Sequence, residues 1–523
     1  MNQKFVTVAE MQAIEKEADA SGFTYSDMME NAGRNLAEAI LEKYGYLEEG
    51  GALGLVGSGN NGGDTLVALT HLAEKGWRTT AMIVRSRPAN DPLIARLHLA
   101  GGQVNSIENN LDKDHLRRVI REHPILIDGI LGTGIQLPLK EELAQILDKI
   151  REILREMEHP PIVVAVDCPS GVDCDSGKAA PECIPADLTV TMAAIKRGLF
   201  AFPAFNLVGE IQVVSIGLPE EGAEMESWKT IEKIVPDRDW VRDNLPVRPL
   251  NAHKGTFGTA LIVAGSTNYT GAAYLAGQAA YRIGTGLVTL ALPSPLHAAL
   301  SGQFPEATWI LLPHENGVIA EEAYRDVLDN LERATALLVG PGLGLDKTTG
   351  RFLSHLLTSH DKLPPVVIDA DGLKLLKAIP DWPSRLPKPA ILSPHPGEMS
   401  ILTGLSIQKI QKDRLNIACR FSKEWGHVVI LKGAFTVVAS PDGQTAVIPV
   451  ASPALARAGT GDVLAGLVVG LFAQGIKAFP SAVAAAWIHA YAGLQAAQSI
   501  GNPGSVVAGD LLEGVIQVIN TLR

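Results

Sequence analysis

Apolar residues along this chain come in short runs separated by helical patterns. Thr7-Val8-Ala9-Glu10 is a capping-box pattern ahead of Met11, Ile14 and Ala18, which predicts a helix from about residue 8. Asp27-Met28-Met29-Glu30 opens a second helical pattern, with Met29, Ala32, Leu36 and Ile40 on one face. Then 52–56, 80–84, 125–127 and 162–166 read as buried parallel strands. After about residue 240 a second series follows, at 260–264, 287–290, 337–339, 366–368 and 428–431. The alternation predicts an α/β fold. No short-period repeat is visible, so the halves read as two different α/β domains.

Length supports that division, because 523 residues exceed one ordinary domain and each half can bury a sizeable core. The stretch from Gly217-Leu218-Pro219-Glu220-Glu221-Gly222 to Ser227 is acidic and rich in breakers, and reads as the linker. The expected domains are 1–222 and 228–523. With 51 glycines, 32 prolines and 20% charged residues, the composition suits a loop-rich α/β enzyme better than a disordered chain.

Net charge of −12 makes duplex nucleic acid a poor partner. Met1 to Glu10 is polar and mixed, and the apolar run Val463–Phe472 is too short to span a bilayer. The expectation is a soluble, cytoplasmic homo-oligomer with no membrane partner. Cysteines at 168, 174, 183 and 419 are too sparse for a disulfide framework. The clustered three lack a CxxC pair and a nearby His, which favours reduced thiols over zinc.

Chemistry concentrates at the predicted strand ends. In the first half, Gly57-Ser58-Gly59-Asn60-Asn61-Gly62-Gly63-Asp64 follows a strand and opens a helix, aiming backbone N–H groups at a ligand. Asp128-Gly129-Ile130-Leu131-Gly132-Thr133-Gly134 and Asp167-Cys168-Pro169-Ser170-Gly171 end two further strands, where ligands lie in open α/β sheets. Carboxylate, Asn and Ser oxygens together suit a hard monovalent or divalent cation. Any one segment also reads as an ordinary βα turn. Three of them, all at strand ends, favour a site.

The second half carries His253–Gly258, Gly340–Gly344, Asp369–Gly372, His395–Glu398, Lys432–Ala434 and Ala458–Asp462. Gly459-Thr460-Gly461-Asp462 is the sharpest. Asp462 is expected to cap an apolar helix, Val463–Phe472, whose N–H groups form an anion hole beside a carboxylate. Simple N-capping explains Asp462 but not the two glycines. Lys432 ends a strand within reach of a phosphate, and His395 with Glu398 reads as a substrate loop.

The motifs GSGNNGGD, DGILGTG and VDCPSG, with GTGD in the second half, resemble the bifunctional NAD(P)H-hydrate repair enzymes. The resemblance spans roughly residues 8–219 and 235–523. It implies a Rossmann-like three-layer NAD(P)H-hydrate epimerase domain followed by a ribokinase-like NAD(P)H-hydrate dehydratase domain. By it, Asn60, Asn61, Gly62, Gly63 and Asp64 line the hydrate pocket, and Asn61, Asp128 and Ser170 bind potassium. Gly132, Thr133, Gly134, Ile135, Gln136, Leu137 and Pro138 embrace ligand phosphates, and Asp167 meets the damaged nicotinamide ring. Inverting C6 between the R and S hydrates needs acid–base help, with Asp167 the first candidate and Asp64 the second.

In the second domain the resemblance assigns ADP or ATP, with magnesium, to Lys432, Gly433, Ala434, Phe435 and Thr436 and to Ser452–Gly461, which includes Gly459, Thr460 and Gly461. Gly344, His395, Glu398 and Asp462 hold the hydrate. Asp462 takes the C6 hydroxyl proton, the nucleotide phosphorylates that oxygen, and phosphate leaves to restore the nicotinamide double bond. Two departures stand out: Thr65 replaces the family's Gly or Ala, and Ser452-Pro453-Ala454-Leu455-Ala456-Arg457 replaces Asn-Pro-Gly-Met-Ala-Thr. Arg457 is expected to hold a phosphate. The rival reading is a vitamin or sugar kinase fused to a nucleotide-binding domain.

Overall fold

A computed structural model describes residues 3–107, 112–219, 225–358 and 363–522. The chain divides into two compact units, one from Gln3 to Glu232 and one from Lys233 onward.

The first unit is built on a parallel sheet of seven strands. Their order is Gln103–Ser106, Thr79–Ile83, Ala52–Val56, Ile125–Gly129, Ile162–Val166, Leu188–Met192 and Glu210–Val214. Strand order reverses between Ala52–Val56 and Ile125–Gly129, so the ligand crevice of such a sheet falls beyond these two strands. Both are buried along their whole length, which explains their unbroken apolar runs. Alternate residues face opposite layers. Ala52, Val56, Ile125 and Ile127 pack with helices Tyr25–Tyr44 and Asn60–Glu74. Leu53, Leu55 and Leu126 pack with Lys113–Arg121 and Glu141–Glu156. The strand Gln3–Val6 pairs separately with Ile195–Lys196.

In the second unit, seven parallel strands run in the order Thr308–Leu312, Leu287–Pro293, Thr259–Val263, Ala336–Val339, Val366–Ile368, Ile391–Leu392, Val428–Leu431. Val437–Ala439 and Thr445–Val447 extend the sheet antiparallel, and Lys233–Val235 closes it. Thr270–Arg282, Thr460–Ala473, Ala478–Ile500 and Asp510–Thr521 cover one face. Lys347–Thr358 and Arg414–Trp425 cover the other.

Several strand ends shift by one to three residues from expectation, and two helix starts and the linker also differ. The second helix starts at Tyr25, not Asp27, because Thr24 and Asp27 form a complete capping box. The apolar helix of the second unit starts at Thr460, with Gly459 at its cap in a left-handed conformation (φ 89°), so Asp462 lies inside the first turn and does not cap it. Part of the expected linker, residues 220–224, falls outside the described residues. Its end, Ser227, belongs to the helix Glu226–Lys229, held to the first unit where Glu17 accepts from the Glu226 and Ser227 N–H groups (2.8 and 2.9 Å). Met225 and Ile231 are buried in that unit's core. Among the described residues no helix is long and apolar enough to cross a membrane.

Candidate functional sites

Asp167 follows the strand Ile162–Val166 directly and sits at φ 64°, a left-handed conformation that costs a non-glycine residue of order 1–3 kcal/mol. Surrounding bonds hold it there. Its N–H donates to the Val190 carbonyl (2.8 Å). Its Oδ1 accepts from Thr191 Oγ1 (3.0 Å), the Met192 N–H (3.0 Å) and Lys196 Nζ (2.5 Å). Lys196 is 1% exposed and also donates to the Met192 carbonyl (2.8 Å). Asp167 Oδ2 forms no hydrogen bond among the described residues.

A cavity of about 190 Å³ opens beside this pair, and Asn60, Asn61, Asp64, Thr133, Asp167 and Lys196 all border it. Asp64 lies in the second turn of the helix Asn60–Glu74 rather than at a loop end. Its carboxyl is buried with no hydrogen bond among the described residues. Burial, then the charges of Asp167 and Glu15, hold its pKa well above the usual carboxylate range. Glu15, also on the cavity wall, is raised by burial. Two carboxyls in different settings thus face one cavity: Asp167, ion-paired, and Asp64, which burial makes a stronger holder of a proton than an ordinary carboxyl.

Just beyond, Asp128 Oδ1 accepts from Ser170 Oγ (2.6 Å) and Oδ2 from the Ser170 N–H (2.8 Å). The Asn61 amide reaches the Leu131 carbonyl (3.1 Å) and the Val166 carbonyl. Asp128 is wholly buried, which raises its pKa, and no cationic side chain pairs with it among the described residues. Asn61, Asp128 and Ser170 therefore converge as a cluster of oxygens and one amide around a buried carboxyl with no cationic partner among the described residues.

In the second unit, Asp369, Ser393 and Lys432 leave three adjacent parallel strands. Asp369 Oδ1 accepts from Lys432 Nζ (2.6 Å) and Ser393 Oγ (2.8 Å), and Glu398 Oε2 lies 3.7 Å from Lys432. Burial opposes the charge on Lys432, but Asp369 and Glu398 raise its pKa overall. Asp462 belongs to the same cluster and forms no hydrogen bond among the described residues. Burial and then the charge of Asp369 push its pKa up to about 7, with Lys432 opposing them. A carboxyl so poised can accept a proton near neutral pH.

His395 caps the helix Pro396–Thr403. Its Nδ1 accepts from the Gly397 N–H (2.9 Å), and Glu398 Oε2 accepts from the His395 N–H (2.8 Å). Burial and Lys432 lower the His395 pKa, so the ring is neutral. The Gly344 N–H donates to Asp371 Oδ2 (3.0 Å). Gly459, Thr460 and Gly461 open the apolar helix, where Thr460 Oγ1 bonds the Arg457 carbonyl (2.9 Å) and His489 Nε2 reaches the Thr460 carbonyl (2.9 Å). In the turn 432–436, Phe435 adopts φ 53° and Thr436 Oγ1 donates to the Gly433 carbonyl (2.9 Å). Arg457 turns to the Gly504 carbonyl.

Sequence reasoning missed Lys196, Glu15, Ser393 and the pairing of Asp369 with Lys432. The available signal was the basic pair Lys196-Arg197 interrupting the otherwise apolar stretch Met192–Phe200, and an Asp and a Lys at neighbouring strand ends.

Two carboxylate-centred sites, each at the C-terminal edge of its own parallel sheet, define a two-site α/β enzyme. Family models match residues 25–198, described as the YjeF-related protein N-terminus, and residues 260–516, described as NAD(P)H-hydrate dehydratase. The bifunctional NAD(P)H-hydrate repair enzyme of Moorella thermoacetica is 35% identical across 99% of this chain and 97% of its own. That of Salinibacter ruber is 34% identical across 98% and 95%. The chain belongs to this family of bifunctional NAD(P)H-hydrate repair enzymes. Among solved structures, the ADP/ATP-dependent NAD(P)H-hydrate dehydratase of Bacillus subtilis, co-crystallised with ATP and Mg2+, is 31% identical, covering 55% of this chain and 99% of its own with a TM-score of 0.48.

Proposed function

We propose that the first unit epimerises the R and S hydrates of NADH and NADPH, and that the second dehydrates the S form at the expense of ADP or ATP. The observation that carries the reading is Asp462: a half-buried carboxyl with no hydrogen bond among the described residues, its pKa pushed up to about 7, beside Lys432, Asp369 and Glu398. Asp462 takes the proton of the C6 hydroxyl, and the freed oxygen attacks the terminal phosphorus of the nucleotide. That attack breaks the terminal P–O bond of the nucleotide and releases AMP or ADP. The C6–O bond then breaks with loss of phosphate, and loss of a C5 proton to water restores the ring double bond. Gly344, His395 and Glu398 hold the hydrate. The turn Lys432–Thr436 and the segment Ser452–Gly461 hold the nucleotide. Magnesium would neutralise phosphate charge there.

In the first unit, Asp167 takes the C6 hydroxyl proton while the bond from C6 to the ring nitrogen opens. Asp64, its pKa raised by burial, supplies the proton that the nitrogen needs, and reclosure on the other face inverts C6. Asn60–Asp64 line the hydrate and Gly132–Pro138 its phosphates. Asn61, Asp128 and Ser170 fit a potassium ion, because a wholly buried Asp128 has only neutral donors around it. Such an ion would supply fixed positive charge beside the hydrate. The same reading takes the enzyme as a cytoplasmic homo-oligomer without nucleic-acid or membrane partners, in keeping with a net charge of −12.

The test is to incubate the purified chain with mixed R and S hydrates plus ADP or ATP and to follow reduced-coenzyme absorbance. Full recovery is expected. No recovery with either nucleotide would sink the proposal, and recovery of the S fraction alone would remove the epimerase half.

A further inference from the structure

The first unit holds a second cavity, and of its lining only the loop Gly132–Pro138 has a role above. It measures about 420 Å³ and lies between the C-terminal ends of the strands and the helix Glu141–Glu156. Val84, Ile107, Leu131, Leu143 and Ile146 supply apolar wall. Arg85 and Lys140 stand on its border, both exposed and neither hydrogen-bonded nor ion-paired among the described residues.

The loop Gly132–Pro138 separates this cavity from the one beside Asp167. Thr133 borders the smaller cavity, while Gly134, Ile135, Gln136 and Pro138 border the larger. Size makes both necessary. The smaller, at 190 Å³, falls below the roughly 300–1,000 Å³ that drug-sized ligands occupy, and a dinucleotide is larger than most of these. It has room for the damaged ring and little more. A dinucleotide whose phosphates rest on Gly132–Pro138 must place its other end across the loop.

We infer that the larger cavity binds the adenosine half of the hydrated dinucleotide, a proposal that rests on the epimerase reading above. The apolar walls suit the faces of a purine. Arg85 and Lys140 suit the phosphates that flank it, Arg85 with a planar fork that matches phosphate oxygens. Binding energy gathered there, away from C6, holds the ring in place over Asp167 and Asp64.

The experiment compares two substrates: the hydrate of NADH, and the hydrate of reduced nicotinamide mononucleotide, which lacks the adenosine half. Epimerisation of each is measured with the full chain and with the variants Leu143→Trp, which fills the cavity, and Arg85→Glu, which reverses a charge at its border. The KM for the dinucleotide hydrate should rise at least tenfold in each variant, and that for the mononucleotide hydrate should change less than twofold. An unchanged dinucleotide KM in both variants, or an equal loss for both substrates, would overturn the assignment. Arg85 is exposed, so Arg85→Glu carries the test alone if Leu143→Trp does not fold. A wild-type chain that epimerises neither hydrate removes the epimerase reading itself, and this proposal with it.

Discussion

Asp167 is a buried carboxyl at a strand end and Asp462 a half-buried one at a helix end, and their partners set them differently. Asp167 has Lys196 at 2.5 Å, whereas Asp462 has no hydrogen-bond partner among the described residues and is pushed up to about 7. As a base, Asp462 must be ionised. Dehydration measured as kcat/KM should therefore fall about tenfold per pH unit below 7 and level off above it. A profile flat from pH 5.5 to 8 would contradict that role. Asp462→Asn should lower dehydration by about 10²- to 10⁴-fold with epimerisation intact. Lys196 makes a different prediction. Removing one member of a buried ion pair leaves its partner uncompensated, so Lys196→Met should cost about 3–5 kcal/mol in urea unfolding and abolish epimerisation. A loss under about 1 kcal/mol would show that the pair with Lys196 contributes little to stability. The carboxylates were legible because glycines and strand ends frame them. Lys196 was not, because the basic pair Lys196-Arg197 after an apolar run reads as a solvated strand end until the fold brings residue 167 against Lys196.

At the scale of elements, strands buried on both faces were easy to read, since unbroken apolar runs leave few alternatives. Helix starts were harder, because glycine-rich first turns read as loops. Asn60–Asp64 is helical, and its glycines are there for space. A Cβ on Gly62 would meet the Gly57 carbonyl oxygen at 2.1 Å, and one on Gly129 would meet Thr65 Oγ1 at 1.9 Å. Thr65, where a smaller residue was expected, is fully buried and donates to the Asn61 carbonyl (2.7 Å). Its extra bulk is therefore accommodated by Gly54 and Gly129. Thr65→Ala should cost only about 1 kcal/mol. Gly62→Ala should displace the first turn that carries Asn60 and Asn61, lowering epimerisation at least tenfold while dehydration stays normal. Equal rates for Gly62→Ala and the parent chain would show that the turn tolerates the shift.

For the molecule as a whole, strand–helix alternation announced two α/β units, but strand order did not follow from it, because each sheet brings together residues far apart in the chain. The unit boundary escaped for a related reason. An acidic, breaker-rich segment reads as a linker, yet Met225 and Ile231 beyond it are buried in the first unit, which therefore extends to Glu232. Each proposed site draws all its described residues from one unit, Asp64, Asp167 and Lys196 from the first and Asp369, Lys432 and Asp462 from the second. Neither site borrows a described side chain from the other, so the two reactions should be separable by single substitutions. Given the R hydrate alone and a nucleotide, Asp167→Asn and Asp462→Asn should each fail to regenerate reduced coenzyme at the enzymatic rate. Given the S hydrate, Asp167→Asn should work normally. An equimolar mixture of the two variants should then regain repair of the R hydrate, because the product of one site can diffuse to the other. The measurement is the rate of absorbance recovery in the mixture against the parent chain at equal site concentration. Failure of the mixture, with each variant retaining its own remaining reaction, would mean that the hydrate passes between sites without being released.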